Sequence, residues 1–352
     1  MICSKPAEAE TKDLAKVKGE GAAHSMFKEI RLAEQRIVDG KVFPLILTPN
    51  VLLESADAAA NLFEANSTFL EQKLKEHGAI FLREFPLQSG EDFDCVVKAL
   101  GWPSVPYIGS APRTQVVGSV YTANDSNPQA FINFHHEMAQ IIDDASWPSR
   151  LIFFCEIPPS EGGQTPIIVS HEVTQSLRKQ CPQFLQRLDK QGLLYLKVLP
   201  KEKDCRYISL EGWPVVFGTN DPREVQERAK ANFNARVEWL PGCKLRLLSG
   251  PFEATRKFGE DGQSAWFNMI MTYWSESSHG GGNSSDYPYG VLFGDGSPLP
   301  QDAVEACRKI HEENSVDIPW QQGDLMIIDN SRVMHGRRAY KPPRQILVAL
   351  CK

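Results

Sequence analysis

The stretch Phe131-Ile132-Asn133-Phe134-His135-His136-Glu137-Met138-Ala139-Gln140 sets a histidine and a carboxylate two residues apart, in a run that otherwise reads as strand. Side chains at i and i+2 of a strand share a face. His135 and Glu137 therefore converge on one point, while His136 faces away and reads as structural. An imidazole beside a carboxylate supplies two of the three donors of the 2-His-1-carboxylate set that binds iron(II). The triplet alone is weak, because a histidine near a glutamate is often only a hydrogen bond within the fold.

Three further stretches add to it. Gly323-Asp324-Leu325-Met326-Ile327-Ile328-Asp329-Asn330-Ser331-Arg332-Val333-Met334-His335-Gly336-Arg337 reads as strand and turn, delivering His335 beside a glycine. A capped strand with a surface histidine is the plain alternative. Gly162-Gly163-Gln164-Thr165-Pro166 is either an ordinary turn or one that sets the Thr165 hydroxyl near a ligand carboxylate. Arg344 precedes the apolar run Ile346 to Leu350. Burying a guanidinium there is costly unless an anion meets it, and its fork suits a carboxylate. A solvent-facing edge arginine is the alternative.

Together these stretches resemble the iron(II)/2-oxoglutarate-dependent oxygenases of the TauD/TfdA (taurine dioxygenase and clavaminate synthase) group, most nearly its plant clavaminate synthase-like members. The likeness runs over roughly residues 40–352. It implies a mainly β fold with flanking helices, a double-stranded β-helix of jelly-roll type. It also implies that His135, Glu137 and His335 hold Fe(2+), and that Thr165 and Arg344 hold 2-oxoglutarate, with O2 as the second co-substrate. Glutamate stands where many members carry aspartate. The chain reads Arg344-Gln345 where related sequences often carry Arg-Arg or Arg followed by an apolar residue. If the co-substrate arginine belongs at position 345, Arg344, Arg337 or Arg338 must serve instead. Arg113, Asn133, Gln140 and Asn268 sit in stretches expected to border the substrate pocket.

The wider composition agrees with an enzyme of small molecules. In 352 residues, 42% are hydrophobic and 23% charged, enough for a sizeable core. The net charge of −6 and the lack of a basic stripe argue against nucleic acid as a partner. No apolar run reaches the roughly 18 residues a membrane span needs. Eight cysteines are scattered singly without a C-x-x-C pair, and no signal-peptide core opens the chain, so a reducing, cytoplasmic setting is expected.

Residues 1–25, polar with small residues and mixed charge, are expected to be a mobile tail, and residues 26–352 to form one domain. Along that domain the pattern predicts single helices over Leu62–Glu76 and His171–Gln191, and others over Glu91–Leu100, Pro222–Phe233 and Pro300–Asn314. Strands are expected at Gly78–Arg83, Leu151–Glu156, Ile167–Val169, Leu193–Leu199, Lys244–Leu248 and Ala265–Met271, and in the last thirty residues. Leu151–Glu156 and Ile167–Val169 read as an antiparallel pair about the glycine turn. Pro103–Asn133 reads as a long loop and Ser275–Tyr289 as a candidate lid. Oxidation of a small molecule, with release of succinate and CO2, is the expected reaction. Two rivals are a metal-binding jelly roll without turnover and a zinc hydrolase on the same three ligands. The latter lacks the helical H-E-x-x-H spacing of common zinc proteases.

Overall fold

The computed structural model describes residues 26–107, 113–123, 127–139, 147–202, 211–258, 262–278 and 289–352. The expected tail, Gln140 and residues 279–288 of the expected lid lie outside the described residues.

Why two sheets form is legible in the burial of three neighbouring strands, Arg150–Ile157, Leu325–Asp329 and Gln345–Cys351. Leu151, Phe153 and Cys155 turn one way, with Met326, Ile328, Ile346, Val348 and Leu350. Ile152 and Phe154 turn the other, with Leu325, Ile327, Leu347 and Ala349. Both faces are covered, so each strand is an unbroken apolar run rather than an alternating one. Fully burying each such Leu, Ile or Phe contributes about 1.5–3 kcal/mol.

These strands lie within an eight-stranded major sheet. Its order is Phe27–Glu29, Leu45–Pro49, Ala79–Leu82, Leu325–Asp329, Arg150–Ile157, Gln345–Cys351, Val120–Thr122 and Gln115–Val117. Only the pairing of Leu45–Pro49 with Ala79–Leu82 is parallel among the described strands. Helices Ala56–Ala65, Ser67–His77 and Gly90–Leu100 cover its outer face.

A three-stranded minor sheet, Ile167–Val169, Val333–Arg337 and Ile132–His135, packs on its inner face. Ile167, Val169 and Val333 join the inner cluster. Phe134, Ile168 and Met334 point outward to helices Ser170–Gln180, Pro182–Gln191 and Gln301–Asn314. By the two-residue period, Asn133, His135 and His335 therefore face the space between the sheets. This is the mainly β, jelly-roll sandwich with flanking helices that the sequence predicts. A further sheet, ordered Ala235–Leu240, Lys244–Phe252, Leu193–Leu199 and Tyr289–Phe293, is inserted between Ile167–Val169 and Leu325–Asp329 in the chain.

Several sequence expectations are corrected. The helix over Leu62–Glu76 is two helices broken at Asn66, whose Nδ2 donates to the Leu62 carbonyl at 2.8 Å. The helix over His171–Gln191 breaks at Cys181, because Pro182 has no N–H and disfavours helical backbone in the residue before it. The strand over Ala265–Met271 stops at Trp266; Asn268 Oδ1 then accepts from Ile270 N at 3.0 Å, and helix Ile270–Ser278 begins. The loop Pro103–Asn133 contains a short hairpin, Gln115–Val117 with Val120–Thr122. Arg150–Ile157 and Ile167–Val169 are not a hairpin: the glycine turn carries the chain from the major sheet to the minor one.

Candidate metal centre

His135 and His335 are register partners on adjacent antiparallel strands. Directly opposed side chains meet on one face of a sheet, and here the two rings lie 4.4 Å apart between centroids. The first strand ends at His135, and Met138 adopts a left-handed backbone (φ 55°), so the chain turns with Glu137 inside the bend. One donor atom from each of His135, Glu137 and His335 lies within 4.8 Å of the other two. His335 Nε2 is 3.6 Å from Glu137 Oε2.

The protonation states suit a cation. His135 Nδ1 donates to the Asn133 carbonyl at 2.8 Å, which leaves Nε2 with its lone pair free. Burial, then the neighbouring His335, pull the His135 pKa down to about 4, so the ring is neutral near pH 7. Burial alone would raise the Glu137 carboxyl; Arg113 and the two imidazoles outweigh it and hold the group below the usual carboxylate range. His335 is fixed by packing, with Phe153 5.2 Å away between centroids, and its buried Nδ1 has no hydrogen-bond partner among the described residues. Two imidazoles and one carboxylate, convergent, with Glu137 and His335 buried and His135 half-buried, fit a divalent iron ion.

A second layer of contacts fixes the bend. Asn330 Oδ1 accepts from Glu137 N at 2.8 Å, while its Nδ2 donates to the carbonyls of Glu137 (3.1 Å) and Pro148 (2.8 Å). Trp147 Nε1 also donates to the Glu137 carbonyl, at 3.0 Å. His136 points away from the triad and lies 2.6 Å from the Asn330 carbonyl and 3.2 Å from that of Trp266. Burial lowers its pKa to about 3. Its structural reading is therefore consistent with its surroundings. Sequence reasoning missed Asn330. An amide, offering both a donor and an acceptor, in the turn before the His335 strand was the available signal.

Thr165 and Arg344 are brought together. Arg344 Nη2 donates to Thr165 Oγ1 at 3.4 Å and Nε to the Gly163 carbonyl at 2.8 Å; Trp320 Nε1 donates to the same hydroxyl at 3.2 Å. Burial, then Arg337, pull the Arg344 pKa down to about 10. Gly163 (φ 68°) makes this approach possible, since a Cβ there would stand 2.9 Å from Arg344 Cδ. Of the neighbours, Arg338 is paired with Asp317 and Glu312, and Arg337 donates to the carbonyls of Asn127 and Ala130.

The residues expected near substrate divide. Arg113 Nη2 donates to Glu137 Oε2 at 2.8 Å. Asn133 supplies the carbonyl that holds His135. Asn268 lines a cavity of about 330 Å³ with Ala139, Tyr195, Phe252, Arg256 and Phe267, but its amide also serves Ala254 and Ile270. None of the three metal-site residues lines that cavity.

Residues 47–351 match the family model of the taurine catabolism dioxygenase TauD, TfdA family. The chain belongs to the TauD/TfdA family. Membership brings the enzyme class and cofactors expected from the sequence, an iron(II)- and 2-oxoglutarate-dependent dioxygenase, and it disfavours the hydrolase reading. Within the family, the chain is 38% identical over 339 residues to a clavaminate synthase-like protein of Arabidopsis thaliana, covering 94% of this chain and all of that one. It is 26% identical over 325 residues to the dapdiamide synthesis protein DdaC of Enterobacter agglomerans, covering 88% and 93% of the two chains. Among solved structures, PvcB from Pseudomonas aeruginosa aligns over 88% of this chain and 85% of its own, with 14% identity and a TM-score of 0.49. No helix among the described residues is long and apolar enough to cross a membrane.

Proposed function

We propose that His135, Glu137 and His335 hold iron(II), that Thr165 and Arg344 hold a carboxylate of 2-oxoglutarate, and that the enzyme hydroxylates a small molecule with release of succinate and CO2. The observation that carries this reading is Arg344. Its guanidinium is half-buried, and its hydrogen bonds there go to a carbonyl and a hydroxyl, with no carboxylate in salt-bridge reach among the described residues. A desolvated cation without a counter-charge is costly, and a ligand carboxylate would offset that cost. Thr165 adds a hydroxyl on the same side.

Bound iron(II) supplies the centre at which the keto acid is decarboxylated and oxygen is transferred to a C–H bond. The protein's part is orientation. Asn133 fixes the ring of His135, Asn330 and Trp147 fix the backbone of Glu137, and the glycine turn lets Arg344 lie beside Thr165. The apolar inner faces of the two sheets, Phe153 among them, limit water at the centre. Asn133 and Asn268 border the substrate side, with residues 26–352 acting as one domain. The substrate is a small molecule.

The test is succinate release from 2-oxoglutarate by protein loaded with iron(II), across small carboxylates, amino acids and amines with ascorbate present. Iron-dependent succinate formation that one compound stimulates is expected. Tight iron binding without any succinate would favour a metal-binding jelly roll instead.

A further inference from the structure

We infer that Arg113 is a positioning residue for the metal centre, a fixed clamp on the carboxylate of Glu137; this rests on the ligand set proposed above. Glutamate has one more rotatable bond than aspartate, so its carboxylate is the less constrained ligand of the two. Asn330 and Trp147 hold only the Glu137 backbone. The far end of the side chain is held by Arg113 Nη2, 2.8 Å from Oε2, with both side chains 5% exposed.

Arg113 is itself immobilised. Its guanidinium carbon lies 4.2 Å from the centroid of the Tyr107 ring, and a planar guanidinium stacks well on an aromatic face. Its Nε and Nη1 are buried without a hydrogen-bond partner among the described residues. An arginine serving only the fold would be expected to satisfy those groups. Here the unmet N–H groups are tolerated to bring a cation to Glu137, the one carboxylate in the ligand set. An ionised carboxylate offers about four lone-pair positions. Accepting one N–H from Arg113 therefore leaves it able to face a metal, while restricting which way it does so. Contacts of this kind typically change metal affinity about 10–100-fold.

Charge alone predicts the opposite sign, because a cation beside the site repels a metal ion. Manganese(II) binding to the full-length protein separates the two, measured by equilibrium dialysis and electron paramagnetic resonance without any turnover. Arg113→Gln should weaken Mn(II) binding about tenfold and broaden its spectrum as the carboxylate gains freedom. Arg113→Lys, which keeps the charge but not the plane, should lie between Gln and wild type. Guanidinium at low millimolar concentration should restore affinity to Arg113→Ala, and methylammonium should not. Unchanged or tighter binding by Arg113→Gln overturns the clamp, as does full rescue by Lys. If the Ala variant does not fold, the Gln and Lys titrations decide. A wild type that binds no Mn(II) overturns the ligand set itself, which is a separate failure from that of the clamp.

Discussion

Two arginines reach this site from distant parts of the chain, and only one has met a carboxylate. Arg113, just before the Gln115–Val117 strand, is paired with Glu137 in a nearly dry contact. Arg344, just before the last strand, makes its hydrogen bonds among the described residues to Gly163 and Thr165. The difference assigns them different work. In the proposed reading, the guanidinium that already has its anion supports the ligand framework, whereas the one held against neutral acceptors is open to an anion from outside. Each expected result below either keeps the two roles apart or merges them.

The largest effect belongs to the proposed metal ligands themselves. His135→Ala should abolish iron-dependent conversion of 2-oxoglutarate to succinate, and retained turnover would remove His135 from the set. Next is the unpaired arginine. Arg344→Gln should raise the KM for 2-oxoglutarate by about 10–100-fold, the range of a hydrogen bond to a charged group, with Mn(II) affinity little changed. If Mn(II) affinity falls instead, the two arginines do not have distinct roles.

Gly163→Ala should act on the same step indirectly. A Cβ at that left-handed position would press on Arg344 Cδ and Pro159 Cγ. We expect a raised KM for 2-oxoglutarate and a loss of about 1 kcal/mol or more in stability, read by denaturant unfolding. The smallest change is Thr165→Val, which removes one neutral hydroxyl. It should raise the KM about 2–10-fold, and no change would confine Thr165 to its bond with Trp320.

How far the site could be read from sequence follows the range of each interaction. The pairing of His135 with Glu137 is local and its spacing pointed to it, but the strand ends at His135, so a bend rather than the two-residue period brings Glu137 in. The buried strands were legible as apolar runs. Register was not: that His335 lies opposite His135 is a contact across 200 residues of chain. Resemblance pointed to His335 as a ligand, not to its register. The break at Pro182 stands in the sequence, within the span whose pattern predicts a single helix. Asn66 and Asn268 act through side-chain to backbone bonds that no periodic pattern encodes. The Arg113–Glu137 pair was hidden because Arg113 lies in a stretch rich in Pro, Gly and Ser, with no pattern to fix its direction.

The central claim is that three side chains make one iron site and that a separate arginine brings 2-oxoglutarate to it. Its most direct measurement is made without oxygen: iron(II) and then 2-oxoglutarate are added while visible absorption is followed, in the wild type and in His335→Ala. Chelation of iron(II) by the keto acid should give a charge-transfer band in the wild type that saturates at one iron per chain and is missing from the variant. An equal band in both proteins, or none in the wild type, would contradict the account.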